Sequence, residues 1–118
     1  MKEIIGNLLK KENVRQNLSG LRQEIKDENA LAEALKLLAG EDELLVSFMG
    51  ADDAKTRKNA ALLIGDLHMS QLSDEVFKAY KAEQMRFVKG SYLAALSQLD
   101  CKELLPLLME RAKELEHM

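Results

Sequence analysis

The chain has no tryptophan, one proline, one cysteine and only 4% aromatic residues. A single cysteine, Cys101, excludes an internal disulfide, so packing alone must hold the fold, and a reducing, cytoplasmic setting is expected. The longest apolar run falls far short of the roughly 20 residues that cross a bilayer, so no membrane role is expected. Lys2, Glu3 and Gly6 break the opening stretch, which does not read as a signal segment. Gly6, Gly20, Gly40, Gly50, Gly65 and Gly90 are all isolated, which excludes a glycine-rich phosphate loop. Basic residues do not outnumber acidic ones: 17 against 20 gives a net charge of −3. That excludes binding nucleic acid through bulk charge and leaves room only for a local basic face.

Reactive side chains are just as sparse. His68 and His117 are the only histidines and lie far apart in the chain. A metal site needs three or four converging ligands, and no such cluster can be read. His68 falls near a helix end, where a cation suits the negative end of the helix dipole. Cys101 has no histidine nearby and reads as a packed side chain. The carboxylates are scattered over helix surfaces and first turns. Neither a catalytic residue, a cofactor nor a metal is therefore expected.

Leucine and alanine dominate a composition that is 47% apolar, enough for one core in a chain of this length. No alternating apolar and polar stretch suggests a strand. Three- and four-residue spacings predict helices over residues 2–11, 13–25, 28–39, 42–49, 54–67 and 85–98, with another beginning after Ser73. A last helix follows Asp100 and runs to about Glu116, or starts only at Leu105, with Pro106 in its first turn. Asn13 and Ser73 are candidate N-caps, and Gly40 and Gly50 candidate left-handed stops. Expected inward positions include Ile4, Ile5, Leu8 and Leu9 in the first helix, and Leu31, Leu35 and Leu38 in the third.

The segment AKTRKNAALLIGDL, Ala54 to Leu67, organises the rest. Its pattern returns 32 residues later as RFVKGSYLAALSQL, placing Ile64 on Leu96 and Leu67 on Leu99. An earlier copy, NVRQNLSGLRQEI, puts Arg15 on Arg57, Asn17 on Asn59 and Leu21 on Leu63. Asp42-Glu43 likewise recurs as Asp74-Glu75. Repetition at this period indicates stacked helical units, none able to bury its apolar face alone. Helix 28–39 breaks the alternation, either as an extra helix or as one bent helix with 42–49.

The run from Ala51 to Leu67 resembles the second half of a HEAT repeat: Asp53 as the turn acid, Thr56-Arg57 at the usual Val-Arg pair, then Ala60-Ala61, Ile64-Gly65 and Leu67. Gly90 and Tyr92 depart from the pattern in the later copy, and Ser19 and Gly20 in the earlier one. The resemblance spans about three-quarters of the chain. It implies an all-α fold over residues 1–118, an α-α superhelix of seven or eight helices. It also implies a structural role for Arg57, binding the turn carboxylates of Asp52 and Asp53 and tying neighbouring repeats.

The function implied is that of a non-enzymatic scaffold, expected to be part of a longer protein, holding a protein or structured RNA on its concave face. The candidate binding residues are Asn17, Arg22, Lys55, Lys58, Asn59, Arg86, Lys89 and Ser91, which repetition would align as a polar and basic stripe. The apolar face of Leu104, Leu108, Met109, Ala112 and Leu115 offers a route to self-association. The three copies are also similar to the helical N-terminal part of some bacterial SAM-dependent RNA methyltransferases, which would make the chain a substrate-positioning appendage of a C-terminal catalytic domain. A HEAT-like DNA glycosylase is the enzymatic alternative; the absence of tryptophan and the net negative charge argue against it.

Overall fold

The computed structural model describes residues 1–99. Among these, seven α-helices and one short 3-10 turn carry the fold, and there is no strand. The helices are α1 (Lys2–Leu9), α2 (Val14–Glu24), α3 (Glu28–Leu37), α4 (Asp42–Phe48), α5 (Ala54–Asp66), α6 (Ser73–Ala82) and α7 (Arg86–Gln98). The helix expected after Asp100, with its apolar face and with Cys101 and His117, lies outside the described residues.

Helix starts follow from short acidic side chains that satisfy otherwise unpaired amides. Asp27 accepts a hydrogen bond from the Ala30 N–H at 2.8 Å, opening α3. Asp53 accepts from both the N–H and the hydroxyl of Thr56, at 2.9 and 2.7 Å, opening α5. The two caps expected from the sequence are corrected. Asn13 precedes α2 in a left-handed conformation, φ 45°, and its side chain caps nothing; instead its carbonyl accepts from the Asn17 amide. Ser73 is the first residue of α6 rather than its cap, because the 3-10 turn Ser70–Leu72 runs directly into the helix and the Ser73 hydroxyl bonds back to the Ser70 carbonyl.

The expected glycine stops differ in the same way. Gly40 adopts φ 82° and turns the chain between α3 and α4, which are thus two separate helices. Gly50 is not left-handed. There the last turn tightens, with Met49 N–H bonding Val46 O and Gly50 N–H bonding Ser47 O, so α4 ends without a positive φ. Two inward expectations also fail. Leu9 and Leu35 are exposed, and Ala34 occupies the buried position in α3 beside the Leu38 that follows it.

Packing centres on α5, which lies between α2 and α7. Each of these three has an outer companion: α1 on α2, α4 on α5 and α6 on α7. The bounds of α5 and α7 are offset by 32 residues at both ends. Their buried positions repeat as well: Thr56 with Val88, Ala60 with Tyr92, Ala61 with Leu93, Leu63 with Ala95, Ile64 with Leu96 and Leu67 with Leu99. The starts of α2 and α5 lie 40 residues apart and their ends 42, and α3, of 10 residues, falls within that longer interval.

A glycine sets the distance between the two best-matched helices. A Cβ built on Gly65 would lie 2.9 Å from the Ala95 Cα and 3.2 Å from its Cβ. Real side chains do not approach so closely, so Gly65 is what lets α5 and α7 touch backbone to backbone.

Candidate interaction face

The charged centre of the molecule is a part-buried pair. Arg57 on α5 reaches across to Glu83, in the turn that leads into α7, with Nε–Oε1 at 2.9 Å and Nη2–Oε2 at 3.1 Å. This bidentate geometry is the strongest an arginine offers a carboxylate. Arg57 Nη1 also donates to the carbonyls of Ala51 and Asp52, at 2.9 and 2.8 Å, closing the turn before α5. The Glu83 carboxylate further accepts from the Met85 N–H at 3.2 Å and the Tyr92 hydroxyl at 3.3 Å. Burial alone would push the Glu83 carboxyl up; the hydrogen bonds from Arg57 and Met85 outweigh it and hold the group below its ordinary value. The same bond to Glu83 raises Arg57. Burial and the neighbouring Glu83 carboxylate push the Tyr92 phenol far up, so it stays a neutral donor.

The expected role of Arg57 is therefore corrected in its partner. The arginine takes the backbone carbonyls of the acidic turn and the carboxylate of Glu83, not the carboxylates of Asp52 and Asp53. Asp53 is already held by Thr56, whose hydroxyl and N–H keep its carboxyl low. Sequence reasoning missed Glu83 and Tyr92. Glu83 lies in a turn outside the helical copies that were aligned, and Tyr92 stands out in sequence only as a departure from the small-residue pattern.

Several of the eight candidate binding residues are engaged within the fold. Asn17 donates its side-chain amide to the Glu12 and Asn13 carbonyls, both at 3.0 Å, and fastens the start of α2. Arg22 pairs with Asp66 at 2.7 Å, tying α2 to the end of α5. Lys89 lies over the Tyr80 ring at 5.3 Å. Ser91 is buried and bonds the Phe87 carbonyl within α7. Arg86 is exposed at the first position of α7 and has a partner of its own. Lys55 is exposed near Asp53, Lys58 is half-buried, and Asn59 lines a cleft. Among the structural candidates, Ile64, Leu67, Leu96 and Leu99 are buried. His68 follows α5 in a left-handed turn, φ 52°, with Nδ1 3.3 Å from the Gln98 carbonyl.

Two clefts border these residues. An open one of about 560 Å³ lies over the Arg57–Glu83–Tyr92 cluster, walled by Val46, Met49 and Ala79. The other, about 450 Å³, runs between α2 and α5 and is lined by Arg15, Gln16, Ser19, Gly20, Gln23 and Asn59. Arg15 leans from this second cleft toward Asp53, 3.8 Å away across an exposed gap. Among the described residues no three His, Cys, Asp or Glu side chains converge as metal ligands, and no helix is long and apolar enough to cross a membrane. No family model, characterised protein or solved structure matches the chain.

Proposed function

We propose that this chain is a HEAT-like repeat module, without catalysis of its own, that holds a protein partner across the side formed by α2, α5 and α7. The observation that carries this reading is the matched register of α5 and α7, helices of 13 residues each with its own outer companion. Helix pairs repeated in this way build an α-α superhelix whose inner row forms one extended surface. Arginine contacts between successive units fit the same scheme. Arg15 on α2 approaches the acid before α5, and Arg57 on α5 grips the acid before α7.

A protein is favoured over RNA because most cations of the inner row are engaged, Lys55 and Lys58 excepted. Arg15, Arg22 and Arg57 face carboxylates, and Lys89 covers an aromatic ring. Phosphate binding requires cations free to displace the counterions condensed on the nucleic acid, and the chain as a whole is net acidic.

A photo-crosslinking amino acid placed at Lys58, and separately at Lys78 on α6 as a control, tests this in the native host. Protein adducts at Lys58 and none at Lys78 are the expected result. RNA adducts at Lys58 would replace the protein by RNA, and equal labelling at both positions would remove the face.

A further inference from the structure

We propose that the cleft between α2 and α5 binds an extended polypeptide segment through its main-chain amides. This deepens, and rests on, the reading of the α2–α5–α7 side as the binding side. Gln16, Ser19, Gly20 and Gln23 stand at positions i, i+3, i+4 and i+7, so they share one face of α2. Asn59 stands opposite them on α5. None of the four polar side chains, Gln16, Ser19, Gln23 or Asn59, has a hydrogen-bond partner among the described residues. The neighbouring Asn17 and Arg22 on the same helix are both engaged. The cleft thus gathers four polar side chains that the fold itself does not bond.

The chemistry of that lining selects the ligand. Each carboxamide offers a donor pair and an acceptor, the complement of the C=O and N–H of a peptide group. Gly20 leaves the middle of the α2 line without a side chain. From Gln16 to Gln23 the helix rises roughly 10 Å at 1.5 Å per residue, the length of about three residues of extended chain. An extended segment leaves its main-chain groups unpaired along both edges, and carboxamides on both walls can meet them. Single-stranded nucleic acid fits poorly. No aromatic residue lines the cleft to stack a base, and Arg15, its one cation, faces Asp53.

The probe is a random peptide library displayed on phage, selected against the full chain. Selected peptides are then remade in solution and titrated against wild type and against Gln16→Ala, Gln23→Ala and Asn59→Ala. The α2 positions are exposed, so the two glutamine variants keep the fold, and a thermal melt confirms it for all three. Roughly tenfold weaker binding is expected for each variant, the loss that follows from one good hydrogen bond. The same peptide carrying N-methyl groups at alternate amides should lose binding to wild type by at least as much. A library that yields no binder overturns the proposal. Binders indifferent to all three variants overturn the cleft, while the crosslinking result at Lys58 separately decides whether the wider face is used. Binders sensitive to the variants but indifferent to N-methylation overturn main-chain recognition.

Discussion

Arg57 and Glu83, separated by 26 residues of sequence, are joined by two parallel hydrogen bonds of 2.9 and 3.1 Å, and the Glu83 side chain is only 5% exposed. The pair ties α5 to the turn that launches α7. Removing one member leaves the other charge buried and unmatched, which costs more than the pair contributes as a pair. Arg57→Ala should therefore lower the unfolding free energy by about 3–5 kcal/mol, read from urea midpoints at unchanged slope. It should cost far more than Arg15→Ala, whose contact with Asp53 at 3.8 Å is exposed and belongs with surface pairs worth about 0–1 kcal/mol.

The same carboxylate makes stability depend on pH. Glu83 has a folded-state pKa below its ordinary 4.5, so the unfolded chain binds the proton more readily. Its contribution is complete above 4.5 and is lost as pH falls from there through the folded value. Chemical denaturation between about pH 6 and pH 3 should show the wild-type midpoint falling. Glu83→Gln should be less stable at neutral pH and should fall less steeply over the same range.

Gly65→Ala distinguishes local preference from packing. Helix propensity alone predicts a gain of about 0.8–1 kcal/mol when a helical glycine becomes alanine. The added methyl would press on the Ala95 backbone at 2.9 Å, so α5 and α7 must part. Net destabilisation of about 1–3 kcal/mol is expected in a thermal or urea melt.

Ile64 and Leu96 are both fully buried at equivalent places in α5 and α7. Truncation of either to alanine should cost about 2–5 kcal/mol. Leu35→Ala on α3, where the leucine is exposed, should change stability by no more than about 0.5 kcal/mol.

The helices were legible in the sequence because apolar spacing and acidic first turns are local signals. The bounds of α5 and α7, and the buried partners of Ile64 and Leu67 one repeat later, follow from the recurrence of AKTRKNAALLIGDL. What failed was decided by backbone geometry or by distant contacts. Ser73 looks like a cap, yet the 3-10 turn before it continues into α6. Gly50 looks like a left-handed stop, yet α4 ends in a tightened right-handed turn. The α3 stripe favours Leu35 by spacing, but that helix buries only a narrow edge through Ala34. The partners of the candidate-face side chains were not legible. Repetition aligned Arg22, Lys89 and Ser91 as if all faced outward, and could not show that Asp66, Tyr80 and the Phe87 carbonyl would engage them. Glu83 carries no repeat signal, and only the folded chain brings it to Arg57.

The central claim is that α5 and α7 pack in a fixed register through Gly65. Nuclear Overhauser spectroscopy on the labelled chain reads that register directly. A strong cross-peak between the Gly65 Hα protons and the Ala95 methyl is predicted, because a Cβ at position 65 would stand 3.2 Å from the Ala95 Cβ. Absence of that cross-peak, with the Gly65 protons instead close to a residue a helical turn away along α7 or on another helix, would contradict the account.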